Sequence, residues 1–445
     1  MILTLTFFCV KIVFRYVFNV MPILLCLEVI AVVKPSGFQT LTVVDEALKN
    51  WLSAWSIKKP IVVMLPLSGD ACGRVLAEDI VALSNLPCFN RSAMDGYAVR
   101  YTDSIGASQS NPVKLEVVTT DEVVVGQAKS VWTGNSLPKG ADAVVMIENT
   151  VREGNMLEIY SPLTPGINVI RCGEDVKKGQ LIAKEGTRLN PYNIGLAAAL
   201  GYSSLKVYQK PTVALLATGN EIVAVGTQTD RYQIFDSNKI ILSAMCQELG
   251  AEIINFGIVK DNVEEISEKI SHALKVADAL ITTGGTSVGG LDLVPDAVNR
   301  VGKPGVIAHG LALRPAMPTG VAVLNDKPVM ILSGNPVASI IGFEVFGRPA
   351  ICRLLGLNKT EPRPVLKAVL SRNVSSVLGR KTYVRVLVKL CAGELVVEPV
   401  SAKGPSSIST MTKSNGYVVI PENREGLKEG ETVLVQIFGN IEAEV

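Results

Sequence analysis

The chain has 445 residues, too many for one ordinary hydrophobic core, so we expect several domains. Charged residues make up 19% of the sequence and the formal net charge is +2, which excludes the broad basic field of a non-specific nucleic-acid binder. The eight cysteines form no C-x-x-C pair, which argues against a zinc site or a disulfide framework and favours a reducing cytoplasm. Imidazole could come only from His272 and His309, so a histidine-based metal site or a Ser-His-Asp triad would depend on those two.

The first 33 residues are far more apolar than the rest of the chain. Lys11, Arg15 and Glu28 interrupt them, and the longest uncharged run, 16–27, is shorter than the roughly 20 residues of a membrane-spanning helix. The two cations ahead of that run would suit a signal peptide. A cytoplasmic body agrees better with a translation start near Met21 or later, and no membrane association is expected.

An amphipathic helix and a β-rich segment follow. Residues 40–55 predict the helix, because apolar side chains recur at helical spacing along them. Residues 88–172 alternate apolar runs, such as 114–120 and 143–147, with Gly and Pro turn signals, which predicts a small β-rich module. A short helix ending at a glycine is predicted at 193–201.

From Pro211 onward the pattern becomes α/β. Apolar strands, such as 252–259 and 279–283, alternate with helices, which implies a parallel sheet covered on both faces. From Lys381 the chain returns to short alternating strands, typical of a separate all-β domain. The predicted domains are the apolar extension (1–33), a linking domain in two segments (34–87 and 173–210), the β-rich module (88–172), the central α/β domain (211–358) and the C-terminal all-β domain (359–445).

Three predicted strands of the α/β domain end in similar glycine loops: ATGNE (217–221), TTGGTSVGG (282–290) and SGNP (333–336). None matches G-x-G-x-x-G or a Walker A loop. In an open parallel sheet, ligands bind at the carboxyl ends of strands, so these loops should line one crevice. Close backbone approach and exposed N–H groups favour an anion there. Each loop alone could be a tight turn, but the three together favour a phosphate site.

Charged side chains accompany these loops. Glu221 and Asp292 would repel a phosphate unless a cation lay between them, and Mg²⁺ is the usual one, although either acid could instead cap a helix. Arg314, between the prolines of LALRPAMPTG, could bind an oxyanion in a bidentate way or lie on the surface of a rigid loop. Asp95, in NRSAMDGYAVR, either presents a carboxylate on a loop or marks a hairpin turn.

Together these segments resemble the molybdopterin molybdenumtransferase family, of the MoeA and gephyrin E-domain type. The resemblance runs from about Phe38 to the C-terminus and includes SAMDGYAVR, TGNSLPKGADAVVM, NVIRCGEDV, LATGNEIV, FDSN, TTGGTSVGGLD, RPAMPTG and LSGNPVAS, in the family's order. It implies insertion of molybdate into adenylylated molybdopterin with release of AMP, using Mg²⁺. It also implies a homodimer whose active site lies between one subunit's molybdopterin-binding α/β domain and the other's β-rich lid, the module 88–172. A molybdopterin adenylyltransferase is a candidate partner.

The resemblance also implies roles for individual residues by motif position. Catalytic roles fall on Asp95, Thr133, Asp175, Glu221, Asp261, Asp292 and Arg314, with Glu221 and Asp292 as the magnesium ligands. Binding of molybdopterin falls on Thr218, Gly219, Ser237, Asn238, Thr283, Gly284, Gly285, Thr286, Ser287, Gly289, Pro315, Pro318, Ser333, Gly334, Asn335 and Pro336.

One loop departs from the family pattern. Many relatives have K-P-G-K-P where this chain has R-P-A-M-P at 314–318, with Ala316 and Met317 inside it, and often a further lysine where Gly310 stands. Two of three expected cations are missing, so Arg314 should contribute more of the oxyanion binding. Two other functions remain open: a molybdopterin adenylyltransferase acting with ATP, or a non-catalytic scaffold of the same fold.

Overall fold

The computed structural model describes residues 40–56, 58–286, 293–400 and 407–443. The apolar extension predicted at 1–33 lies outside the described residues. Within the described part of the chain, no helix is both long enough and apolar enough to cross a membrane.

The first helix packs on the α/β domain, although it belongs to the segment that we assigned to the linking domain. Helix α1 (Val44–Ser53) buries Val44, Ala47 and Trp51 in the core of the α/β domain. The indole nitrogen Nε1 of Trp51 donates to the Ala322 carbonyl oxygen at 2.7 Å. Strands β1 (Val62–Pro66) and β2 (Ile80–Val81) follow.

The β-rich module has the β structure that its alternating pattern predicts. Its own side chains fill its core, with Leu115, Leu157 and Ile159 fully buried. Six of its strands form one sheet in the order β7-β4-β6-β5-β9-β8. Its strands are β3 (Arg91–Ser92), β4 (Gly96–Val99), β5 (Val113–Val118), β6 (Gln127–Val131), β7 (Ala143–Met146), β8 (Thr150–Glu153), β9 (Met156–Ile159) and β10 (Val169–Ile170).

The chain then returns to the linking domain through β11 (Leu181–Ala183), α2 (Pro191–Ala199) and β12 (Ser204–Tyr208). Antiparallel pairs β1–β12 and β2–β11 join the segments before and after the β-rich module into one unit. Helix α2 begins two residues earlier than predicted, because Asn190 forms a capping box and Pro191 occupies the first turn.

The α/β domain contains a six-stranded sheet in the order β16-β13-β17-β21-β20-β18. The four strands β16, β13, β17 and β21 are parallel, as predicted. The sheet is not parallel throughout, because β20 runs antiparallel to both of its neighbours. Its elements are β13 (Thr212–Thr218), β14 (Ile222–Val223), β15 (Ile234–Phe235), α3 (Ser237–Leu249), β16 (Glu252–Val259), α4 (Val263–Val276), β17 (Ala279–Thr283), α5 (Leu293–Val301), β18 (Pro304–His309), β19 (Leu313–Arg314), β20 (Gly320–Leu324), β21 (Lys327–Leu332), α6 (Pro336–Gly342) and α7 (Arg348–Leu354).

The reversal at β20 has a local cause. Asn325 and Asp326 both have positive φ, at 51° and 63°, and form a two-residue turn between β20 and β21. Such a turn joins antiparallel neighbours. Helices cover both faces of the sheet, with Ile266 and Val298 buried on one side and Leu242 buried on the other.

Within its described residues, the C-terminal domain is almost entirely β, as predicted, with a single helical turn. Strand β19 of the α/β domain pairs in parallel with β24, so Arg314 lies opposite Thr382 and its loop is fixed to this domain. The elements are β22 (Val365–Leu370), β23 (Val374–Ser375), β24 (Lys381–Cys391), β25 (Glu394–Pro399), α8 (Ser409–Thr412), β26 (Gly416–Ile420), β27 (Gly426–Leu427), β28 (Thr432–Ile437) and β29 (Glu442–Ala443).

Candidate functional site

The three glycine loops meet at the carboxyl ends of β13, β17 and β21. A Cβ atom on Gly284 would lie 2.2 Å from the Thr218 carbonyl oxygen, and one on Gly285 would lie 2.9 Å from Thr218 Oγ1. A Cβ atom on Gly334 would lie 3.6 Å from Gly284 Cα. The loop after β17 therefore runs between the other two, at van der Waals distance from both.

Hydrogen bonds hold this arrangement. Thr218 Oγ1 donates to the Thr283 carbonyl oxygen at 3.3 Å, and the Gly284 N–H donates to the Leu332 carbonyl oxygen at 3.1 Å. Thr218, Thr283, Thr286 and Ser333 are all buried. The predicted molybdopterin-binding residues of the three loops thus form one set of fixed backbone groups lined with buried hydroxyls, where the described part of the chain includes them.

Helix α3 adds its first turn to the same place. Asp236 caps the helix by accepting from the Lys239 N–H at 3.1 Å, and Ser237 is the first helical residue. Asn238 Nδ2 donates to the Gly334 carbonyl oxygen at 2.8 Å, while Asn238 Oδ1 is buried without a hydrogen-bond partner. The predicted residues Ser237 and Asn238 therefore lie beside the SGNP loop, which continues into α6 at Pro336.

Two of the predicted acids lie beside the loop after β13. The Asn220 N–H donates to Asp261 Oδ2 at 3.3 Å, and the Asp261 N–H donates to Asn220 Oδ1 at 3.2 Å. The Gly219 N–H donates to the Val259 carbonyl oxygen, which ties this loop to the end of β16. Glu221 follows in the same loop and its side chain is exposed.

Part of the predicted site lies outside the described residues: Ser287, Gly289 and Asp292. The pairing of Glu221 with Asp292 around a magnesium ion therefore stays a prediction. Among the residues that the structure does describe, no group of three or more His, Cys, Asp or Glu side chains could hold a metal ion.

A cavity of about 710 Å³ opens beside the loops, between the α/β and C-terminal domains. Arg314, Pro315 and Pro318 line one side of it, and Ser333 and Asn335 of the SGNP loop line another. Arg314 is exposed toward solvent and is fixed at its backbone by the pairing of β19 with β24.

The C-terminal domain contributes three further arginines to this cavity, which sequence reasoning did not identify: Arg372, Arg380 and Arg385. Arg385 is only 8% exposed and its Nε is buried without a hydrogen-bond partner. Burial lowers the pKa of the Arg385 guanidinium, the mark of a cation that lacks a compensating anion. The alternating pattern of β24 predicts a strand but does not indicate what Arg385 faces.

The remaining predicted residues belong to the β-rich module and to its junction with the linking domain. The Thr133 N–H and Oγ1 both donate to Asp95 Oδ1 at 2.7 Å, and these two bonds lower the pKa of Asp95. Asp175 is exposed where the chain leaves the module, and its N–H donates to the Leu86 carbonyl oxygen. Asp95 and Thr133 are thus one pair, built on a different domain from the glycine loops.

Comparisons with known proteins agree with this architecture. Residues 42–201 match the model of the MoeA N-terminal region (domain I and II), 214–353 match the probable molybdopterin binding domain, and 367–438 match the MoeA C-terminal region (domain IV). A crystal structure of the molybdopterin biosynthesis protein MoeA from Pyrococcus horikoshii OT3 superimposes with a TM-score of 0.78 at 32% identity, covering 90% of this chain and all of that one.

Two curated relatives are both named molybdopterin molybdenumtransferase. The chain is 36% identical over 381 residues to the molybdopterin molybdenumtransferase of Bacillus subtilis (strain 168), covering 83% of this chain and 88% of the relative. It is 32% identical over 398 residues to that of Staphylococcus aureus (strain COL), covering 88% and 94%. Fold and relatives together define a multidomain transferase of molybdenum cofactor biosynthesis. The chain belongs to the molybdopterin molybdenumtransferase family.

Proposed function

We propose that this enzyme inserts molybdate into adenylylated molybdopterin and releases AMP. The observation that carries the proposal is the adjacency of the three glycine loops and an arginine-lined cavity. Three glycine loops present backbone N–H groups and buried hydroxyls, and the neighbouring cavity is lined by four arginines, Arg314, Arg372, Arg380 and Arg385. The loops suit the phosphate end of a pterin, and the arginines suit a tetrahedral oxyanion.

The four arginines also account for the unusual R-P-A-M-P loop. Where many relatives have lysines in this loop, the chain has Ala316 and Met317, which carry no charge. In this protein the C-terminal domain supplies positive charge to the same cavity from β24 and its neighbours. We infer that oxyanion binding is shared between Arg314 and these arginines.

We propose that magnesium binds beside these loops. Glu221 would hold the ion together with Asp292, and exposed carboxylate oxygens beside a phosphate site are the ligands that Mg²⁺ prefers. When bound, the ion would neutralise negative charge on the phosphoanhydride. Asp261 would position the loop after β13 through its reciprocal hydrogen bonds with Asn220.

The chemical step then needs positioning and charge neutralisation more than proton transfer. An oxygen of molybdate attacks the phosphorus of the adenylyl group, the bond from that phosphorus to the pterin phosphate oxygen breaks, and the pterin keeps its phosphate. The bond between molybdenum and the attacking oxygen then breaks as the two dithiolene sulfurs bind molybdenum, so AMP leaves with that oxygen. The arginines would hold molybdate in line, and the loop N–H groups would stabilise the charge on the pterin phosphate.

We further propose that the enzyme is a homodimer with a shared active site. Asp95 lies on the lid, among exposed apolar side chains: Met94 is 42% exposed and Trp132 is 59% exposed. On the α/β domain, Tyr232 and Ile234 near the first glycine loop are 82% and 60% exposed. Apolar surfaces of this kind mark sites of protein contact. The lid of one subunit would cover the loops of the other and bring Asp95 and Thr133 to them.

This activity implies the source of the substrate and the compartment. Adenylylated molybdopterin must come from an adenylyltransferase that uses ATP, so such an enzyme is the proposed partner, and the cytoplasm is the proposed compartment. An enzyme that was itself the adenylyltransferase would consume ATP. A scaffold would keep its biological function in Glu221→Ala and Asp292→Ala variants.

The test is AMP release from adenylylated molybdopterin in the presence and absence of molybdate. We expect release that depends on molybdate and is lost in both acid variants. Release that requires ATP, or full biological function in both variants, would contradict the proposal.

A further inference from the structure

A second cavity, of about 450 Å³, lies at the amino ends of the parallel strands, while the glycine loops lie at their carboxyl ends. Thr212 begins β13, Asp278 immediately precedes β17 and Lys327 begins β21, and all three residues line this cavity. The glycine loops follow the other ends of the same strands. Because β13 is seven residues long, the two sites are separated by roughly 20 Å of sheet.

The lining of this second cavity is strongly positive. It contains five cationic and two acidic side chains, a balance of +3, while the whole chain carries +2. The charged side chains are Lys58, Lys59, Lys210, Lys327, Arg353, Asp278 and Asp326. Positive charge is therefore concentrated here rather than spread over the surface.

The two acids are already engaged in fixing the backbone. Asp278 Oδ2 accepts from the Thr212 N–H at 2.8 Å, and Asp326 Oδ1 accepts from the Ser56 N–H at 2.7 Å. The Nζ of Lys58 is 3.8 Å from Asp326 Oδ2, a long ion pair. The acids thus hold the walls of the cavity.

The Nζ of Lys59 lies 2.9 Å from Oε1 of Glu185, an acid outside the lining, so Glu185 lowers the balance of +3 to +2. Among the described residues, Lys210 and Arg353 form no ion pair.

Two buried N–H donors in the same lining lack acceptors. Trp55, only 4% exposed, has its Nε1 buried without a hydrogen-bond partner, and so does the Nε of Arg353. The guanidinium of Arg353 lies 4.3 Å from the centre of the Trp55 ring and donates to the Leu52 and Trp55 carbonyl oxygens. Burial lowers the pKa of Arg353. Buried donors without partners are uncommon and indicate a missing acceptor.

We propose that this cavity binds a small phosphate-bearing anion, with Lys210 as its direct contact, Lys59 shared between the anion and Glu185, and Arg353 supporting them from the wall. Lysine binds phosphate as a point charge, and the volume lies in the range of small-molecule sites. Residues 58–61 and 209–211 are the two crossings between the α/β and linking domains, so the anion would tie both crossings together. The proposal does not depend on the reaction at the glycine loops.

The experiment measures binding of inorganic pyrophosphate to the full chain by titration calorimetry. The test variant is Lys59→Gln/Lys210→Gln, and Lys210→Gln alone guards against misfolding. The matched control, Lys367→Gln/Lys428→Gln, removes the same charge from exposed positions of the C-terminal domain. Arg380→Gln weakens binding at the first cavity, so the two sites can be told apart.

We expect a class of sites whose affinity falls about tenfold or more in Lys59→Gln/Lys210→Gln, falls less in Lys210→Gln, and is unchanged in the control and in Arg380→Gln. The melting temperature should rise with pyrophosphate in the proteins that keep this site. Identical isotherms for wild type and Lys59→Gln/Lys210→Gln, loss of all binding in Arg380→Gln, or no binding to the wild type would each overturn the proposal.

Discussion

Gly284 lies so close to Thr218 that a Cβ atom would come within 2.2 Å of the Thr218 carbonyl oxygen. This contact is between backbones, so no side-chain rotation can relieve it. The φ of Gly284, +88°, is a second reason why only glycine suits this position. The close spacing of the first two loops therefore requires that residue 284 has no Cβ atom.

Gly284→Ala should separate these loops and displace bound molybdopterin. A misplacement of about 1 Å can lower a rate by about 100-fold, and we expect a loss of that order in AMP release. Gly195→Ala, on helix α2, is the control, because nothing lies within 4 Å of its added Cβ and its φ is not positive. Equal activity in the two variants would show that close backbone approach is not needed.

Arg314→Gln and Arg380→Gln should each raise the molybdate concentration needed for half-maximal AMP release. Loss of one charged hydrogen-bond donor corresponds to about tenfold or more in affinity, and the double variant should lose more than either single one. The KM for adenylylated molybdopterin should change little, because that substrate is assigned to the glycine loops. A change confined to that KM would show that these arginines bind the pterin instead of the oxyanion.

Thr133→Ala should alter the pH dependence of the reaction through Asp95. Two hydrogen bonds from Thr133 lower the pKa of Asp95, so the carboxylate stays charged as pH falls until its lowered pKa is reached. The variant keeps the N–H bond and loses the hydroxyl bond, so the pKa of Asp95 should rise toward its ordinary value. The acid limb of the rate profile should then move to higher pH, and Thr133→Ser should restore it. An unchanged acid limb would exclude Asp95 as its source.

Ala316→Gly should stabilise the protein. Ala316 has a φ of +89° in the R-P-A-M-P loop, a conformation that costs an alanine about 1 kcal/mol. Glycine adopts it without strain, so the free energy of unfolding should rise by up to about 1 kcal/mol. Ala312→Gly, at a buried position without positive φ, should lower it. Denaturant titration distinguishes these results, and destabilisation by both substitutions would contradict the assigned backbone strain.

Mixing two inactive subunits tests the shared site. In a dimer of Asp95→Asn and Glu221→Gln subunits, one of the two sites combines an intact lid with an intact α/β domain, so activity should return on mixing. If each site were built within one subunit, the mixture would stay inactive.

The convergence of the loops could be predicted from the sequence because it follows from local rules. Each loop ends an apolar strand, and parallel strands bring their carboxyl ends to one edge. The antiparallel strand β20 was missed although Asn325-Asp326 is a turn signal, because the apolar runs beside it also suit parallel strands. Here the two-residue turn, and not the apolar pattern of the strands, determines that β20 and β21 are antiparallel.

The arginines of the C-terminal domain could not be predicted in the same way. The pattern of β24 identifies a strand, but the pairing of Arg314 with Thr382 joins two domains across a long stretch of chain. No period or motif encodes such a contact. The roles of Asp95 and Asp175 likewise come from the family resemblance, since their own surroundings indicate only an exposed turn and a domain junction.

The most direct test of the account is a single-turnover measurement of AMP released from adenylylated molybdopterin by the purified protein, with and without molybdate. We expect AMP and molybdenum-loaded cofactor to form in equal amounts when molybdate and Mg²⁺ are present, with little AMP when molybdate is omitted. AMP release that is independent of molybdate, or consumption of ATP with no release of AMP from the adenylylated pterin, would contradict the proposed insertion reaction.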